Sequence, residues 1–127
     1  MQREYQQALS QPGVTTGADV ENAVDASLAA QGITTTTGGT TDQSGNITIA
    51  PRPPNPCNDV LNAATWDHER VHQQTQQSLE ALHGAGTSAF NNAWNDATNW
   101  VNDDVNAYRA EIDFWTNFKS SCSACGA

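Results

Sequence analysis

Residues 65–74 read Thr65-Trp66-Asp67-His68-Glu69-Arg70-Val71-His72-Gln73-Gln74, and the fold of the chain turns on how this stretch is read. Two of the three histidines stand four residues apart in it, with a glutamate directly after the first. On a helix, residues i and i+4 share a face, so His68 and His72 can grip one metal ion. The surrounding apolar pattern supports a helix. Val60, Leu61, Ala64, Val71, Thr75, Leu79 and Leu82 trace one face from Asn58 until His83-Gly84-Ala85-Gly86 breaks it.

Working outward, no glycine or proline follows that break until Gly126. Phe90, Trp94, Ala97, Val101, Val105, Tyr108, Ile112 and Trp115 recur at spacings of three and four. This predicts one long helix or two nearly continuous ones over residues 87–119, up to about 50 Å in length. A short loop between two amphipathic helices implies an antiparallel helical hairpin. Upstream, Val20, Val24 and Leu28 predict a short amphipathic helix at 18–31, stopped by Gly32. The threonine-rich stretch that follows reads either as a small β-hairpin, with strands near 33–37 and 46–50, or as a disordered linker. The segment Pro51-Arg52-Pro53-Pro54-Asn55-Pro56 ends it. The expected fold is therefore mainly α with a minor β component (α+β). Residues 1–56 form an N-terminal helix and a Thr/Gly/Pro-rich arm, and residues 57–127 form the HExxH-bearing helical domain.

Bulk properties narrow the function classes. The chain has 127 residues, a formal net charge of −9 and a pI near 4.3, with five basic side chains in all. Such a surface repels nucleic-acid phosphates and anionic lipid, so neither partner is expected. No apolar run approaches the roughly 20 residues that a membrane helix needs, so membrane insertion is not expected. The first residues, Met1 to Gly13, lack the apolar stretch of a signal peptide. Charged residues make up only 15% against abundant Asn, Gln, Thr and Ser, a composition that suits an exported bacterial protein. Cys57 precedes one helix and Cys122 and Cys125 follow another, so a hairpin predicts a disulfide from Cys57 to one of the terminal pair. The Cys122-Ser-Ala-Cys125 spacing ends the chain instead of opening a helix after a strand, which argues against a redox motif.

The chemistry of HExxH follows from its spacing. Zinc bound by imidazoles lowers the pKa of a bound water toward neutrality. Glu69, beside the first ligand, can accept that water's proton and deliver it to a leaving amine. A catalytic zinc needs a third protein ligand. The third histidine of metzincins would fall on Ser78, which excludes that class. His83 lies about 16 Å beyond His72 along the same helix. Carboxylates on the second helix remain. With the turn centred near Ala85, antiparallel positions sum to about 170, which sets His68 opposite the region of about residue 102. Asp104 lies close to that level and shares the stripe of Val101, Val105 and Tyr108. Glu111, roughly 13 Å farther along the axis, ranks second and gains if the helix bends or crosses steeply.

These residues carry a family resemblance. HERVHQQ followed by DVNAYRAEIDF resembles the small bacterial zincin-type metallopeptidases of the gluzincin kind, over roughly residues 57–122. The resemblance implies a zincin-like domain with Zn2+ as cofactor, His68 and His72 as zinc ligands and Glu69 as general base. It implies Asp104 as the acidic third ligand, at a position that is usually Glu in that family, and the shorter side chain keeps Glu111 in contention. Tyr108 matches the tyrosine of the pattern and would donate to a developing oxyanion. The implied activity is zinc-dependent peptide-bond hydrolysis, with a peptide or protein as substrate. In known zincins an edge strand upstream of the active-site helix pairs with extended substrate, and Gly45–Ala50 is the expected counterpart. The alternative is a non-catalytic binding or assembly module with a relic or structural metal site, its arm and four tryptophans packing on other copies or a larger parent protein. A toxin or effector domain that cleaves one host protein is a third class.

Overall fold

Five helices and one two-stranded antiparallel sheet make up the regular structure among the described residues, 2–32 and 38–118, in this computed structural model. The mainly helical fold with a small β-hairpin agrees with the sequence reading. In chain order the elements are α1 (Gln2–Leu9), α2 (Gly17–Ala30), β1 (Gly39–Thr41), β2 (Ile47–Ile49), α3 (Asn58–His83), α4 (Ser88–Asn95) and α5 (Ala97–Phe118). No helix among the described residues is long and apolar enough to cross a membrane.

The chain divides into two compact units, and α3 and α5 each contribute to both. The first comprises α1, α2, the last turns of α3, α4 and the beginning of α5. Its core is Tyr5, Ala8, Val20, Val24, Leu28, Phe90, Ala97 and Val101. The predicted Val20-Val24-Leu28 stripe is thus buried. Helix α2 starts where Thr16 caps it: the Thr16 side chain accepts from the Asp19 N–H, and the Asp19 carboxylate accepts from the N–H groups of Thr15 and Thr16. Those two backbone donors, Thr15 first, hold the Asp19 carboxyl below its usual range.

Of the two readings of residues 87–119, the structure has two helices. Asp96 is extended (φ −62°, ψ 131°) and pairs with Thr16 in an isolated antiparallel bridge, while the Ala97 N–H donates to Thr15 O at 3.1 Å. The Asp96 carboxylate then accepts from the Asn99 N–H at 3.0 Å, capping the start of α5. Helix α1 has no counterpart in the sequence reading. Among the described residues its short amphipathic pattern buries Tyr5 and Ala8, and it packs against α2.

The second unit holds the hairpin, most of α3 and the later part of α5. Strand β1 pairs with β2 in the register Gly39–Ile49, Thr40–Thr48, Thr41–Ile47. The expected first strand at 33–37 lies outside the described residues, and among the described residues β1 runs over Gly39–Thr41, with the turn built by Asp42. Its Oδ1 accepts from the N–H groups of Ser44 (2.9 Å) and Asn46 (3.0 Å), an Asx-type turn that passes through Gly45 at φ +82°. A single stripe of α3 carries the hairpin. Gln73 Nε2 donates to Gly45 O and Gln76 Nε2 to Gln43 O, both at 2.9 Å, while Arg52 Nη2 donates to Thr65 Oγ1 at 2.7 Å. A Cβ on Gly39 would lie 2.8 Å from Thr65 Cγ2 and 3.2 Å from Glu69 Cγ, so only glycine allows β1 to come this close to α3. Cys57, just before α3, is disulfide-bonded, and Cys122 and Cys125 lie outside the described residues.

The turn carries a pH prediction. The Asn46 N–H, foremost among its donors, holds the Asp42 carboxyl below its usual range. A depressed carboxyl stabilises the folded hairpin above the ordinary aspartate value of about 4, and that contribution is lost as pH falls through the lowered folded value. Amide-exchange protection at Asn46 and Thr48, relative to the unstructured chain at the same pH, should therefore fall below about pH 4. In Asp42→Ala that protection should be low and insensitive to this range.

Candidate metal centre

The hairpin stripe and the histidine face of α3 are neighbouring surfaces of one helix. Thr65, Glu69, Gln73 and Gln76 turn toward the hairpin. His68 and His72, one residue earlier at each step, project about 100° away. Their Nε2 atoms converge to 3.3 Å. Zinc–nitrogen bonds of about 2.0–2.1 Å at tetrahedral angles put two ligand nitrogens about 3.3–3.4 Å apart, so the two rings already stand at the separation a shared ion requires.

The tautomer fits as well. The other ring nitrogen of His68, Nδ1, faces Glu111 Oε1 at 3.3 Å. The negative charge beside Nδ1 favours a proton on that nitrogen, which would leave the Nε2 lone pair available to a metal. Glu111 therefore meets the far side of His68. The antiparallel count from Ala85 treats the chain after the turn as one continuous helix and sets Glu111 some 13 Å beyond the histidine level, whereas α4 ends at Asn95 and α5 starts at Ala97. Tyr108, one turn before Glu111, sets its ring edge-to-face with His68 at a centroid distance of 4.6 Å and 79°. That contact fixes the plane of the imidazole.

His68, His72 and Asp104 form a group that could hold a metal ion, each offering one ligand atom within 4.8 Å of the others. His68 and Asp104 are 8% and 7% exposed, which shields the ligand atoms from competing water. Two imidazoles and one carboxylate are a donor set typical of catalytic zinc, leaving a fourth position open. Asp104 Oδ2 also accepts from the Tyr5 hydroxyl. Burial first, then the charges of Asp25 and Asp104, pushes the Glu21 carboxyl up, so the region around Asp104 already carries an excess of negative charge.

Glu69 is oriented from the hairpin side. Thr41 Oγ1 lies 2.9 Å from Glu69 Oε1 and 3.0 Å from the Glu69 carbonyl oxygen, so its hydroxyl holds the first carboxylate oxygen. The second, Oε2, lies 3.8 Å from His68 Nε2 and so stands beside the metal position. Comparison with known proteins adds no relative. No family model, curated protein or solved structure matches the chain. The reading of this centre rests on its own geometry.

All six residues singled out in the sequence are therefore placed. His68, His72 and Asp104 form the group that could hold a metal ion, and Glu69, Tyr108 and Glu111 each contact or flank His68. Two residues that the sequence did not mark, Thr41 and Tyr5, touch this machinery through side-chain hydroxyls. Neither stands in a motif or at a helical spacing from the histidines.

The placement of Glu111 separates two roles for it. Partners of the distal ring nitrogen typically contribute about 10–100-fold to metal affinity. Glu111→Ala should weaken zinc binding by that order, and Glu111→Asp, which keeps the negative charge, should restore part of it. Titration against a chromogenic chelator reads both. A loss in Glu111→Ala as complete as in His72→Ala would make Glu111 a ligand.

Proposed function

We propose that this protein is an exported zinc-dependent peptidase whose catalytic centre is His68, His72, Asp104 and Glu69. The observation that carries this reading is the 3.3 Å convergence of the two histidine Nε2 atoms, with a hydroxyl-held Glu69 carboxylate oxygen 3.8 Å from one of them. A structural metal site needs ligands and no base. Here a base is aimed at the same point.

Zinc, when bound, supplies a water of near-neutral pKa and polarises the scissile carbonyl. The residues of the chain do the rest. Glu69 takes the water's proton on Oε2 while its Oε1 stays tied to Thr41, so the carboxylate does not rotate away during transfer. The water oxygen bonds to the carbonyl carbon, the C–N bond breaks, and the proton held by Glu69 passes to the departing amine nitrogen. Tyr108, whose ring packs against His68, would donate to the oxyanion.

Substrate would bind in extended form along β1. The Ala50 N–H donates to Gly38 O and the Asp42 N–H to Asn46 O, so the intervening alternation turns the backbone groups of Thr40 toward β2 and those of Gly39 and Thr41 away from it. A peptide adding to that outer edge would pair with the same strand whose Thr41 holds Glu69. This moves the expected docking strand from Gly45–Ala50 to Gly39–Thr41. Export is supported by the disulfide at Cys57, a bond that persists in oxidising compartments.

The test is cleavage of an unstructured protein substrate by chain purified without chelator. Expected are stoichiometric zinc, cleavage blocked by 1,10-phenanthroline, and recovery on adding zinc back. Zinc without cleavage would favour the binding-module alternative, and a protein that takes up no zinc would end the metal reading.

A further inference from the structure

We infer that Tyr5, from the N-terminal helix α1, is the positioning residue for the acidic metal ligand Asp104. The inference rests on the reading that His68, His72 and Asp104 hold zinc. The two side chains are 99 residues apart in sequence, yet the Tyr5 hydroxyl donates to Asp104 Oδ2 and both are buried. Tyr5 is only 3% exposed, and its ring stands edge-to-face on Trp100 at 5.7 Å and 88°. Trp100 lies one turn before Asp104 on α5. The aromatic contact therefore sets where the phenol points, and the phenol sets how the carboxylate is turned.

A buried carboxylate needs donors, because leaving its oxygens unsatisfied away from water costs far more than a typical hydrogen bond returns. It is also a poor metal ligand while its side-chain torsions are free, since the ion must then freeze them on binding. Tyr5 addresses both. It satisfies Oδ2 and holds the group in one orientation, so that Asp104 meets an ion as a one-point ligand. Among the described residues α1 also buries Ala8, and Tyr5 links it to α5 through Asp104 and Trp100. A helix with no motif of its own thereby becomes part of the metal centre.

The experiment is a double-variant cycle on the full chain, reading zinc affinity by chelator competition and the apo-protein melting temperature side by side. Tyr5→Phe keeps the ring on Trp100 and removes only the hydroxyl. It should melt close to wild type and bind zinc about 10–100-fold more weakly, the range expected for a partner that orients a ligand. In an Asp104→Ala background the same change should have no further effect on zinc. Cobalt-substituted Tyr5→Phe should show a d–d absorption envelope shifted from wild type, reporting altered carboxylate geometry. Wild-type zinc affinity in Tyr5→Phe, or an equal loss with and without Asp104, would overturn the inference while the zinc centre stands. If Asp104→Ala alone leaves zinc affinity unchanged, the ligand assignment falls and this inference falls with it.

Discussion

Glu69→Gln should retain zinc at wild-type affinity and lose hydrolysis by about 10²–10⁴-fold, the usual contribution of a positioned general base. The separation of the two effects follows from where the carboxylate sits. Its Oε1 is within 2.9 Å of Thr41 Oγ1, and a glutamine carbonyl oxygen can accept that hydrogen bond unchanged. The packing of α3 against β1 at Gly39 is then preserved, because the side chain keeps its shape. What changes is the atom beside His68 Nε2. Oε2, 3.8 Å from that nitrogen, becomes an amide group with no lone pair basic enough to take a proton. Zinc uptake measured by metal analysis and turnover of an unstructured protein substrate provide the two readouts. If Glu69→Gln lost zinc as well, Glu69 would be acting as a ligand. If it kept full activity, proton transfer would have to be assigned elsewhere.

How much of this was legible in the sequence depended on the range of the interaction. The bounds of α3 were readable because its apolar stripe is regular from Asn58 to His83 and Gly84 ends it, so the HExxH face could be placed at once. The histidine pair is local, set by the helix alone, and needs no tertiary information. The break at Asp96 was less visible. Aspartate is a good capping residue, but Trp94, Ala97 and Val101 continue the helical spacing through it, and only pairing with Thr15 and Thr16 makes the extended conformation worthwhile. The count from the turn took no account of that break. Thr41 and Tyr5 were beyond reach for a related reason. Each acts through one hydroxyl on a partner 28 or 99 residues away, and such contacts leave no periodicity in either segment.

The largest effect on the metal itself belongs to the histidines. His68→Ala and His72→Ala should each lower zinc affinity by about 10²–10³-fold. That follows from sharing a typical site energy of about 10–16 kcal/mol over four ligands, or roughly 2.5–4 kcal/mol each. The two variants should differ in a second respect. His68 lies against the Tyr108 ring and is 8% exposed, so its removal leaves a cavity. His72 is only half-buried, so truncating it opens less of a cavity. His68→Ala should therefore also lower the apo-protein melting temperature, while His72→Ala should melt nearly as wild type does. Calorimetry of metal-free protein alongside chelator competition separates the two quantities. Equal zinc affinity in wild type and His72→Ala would remove the i, i+4 pair from the metal centre, because that variant loses an Nε2 donor with little else disturbed.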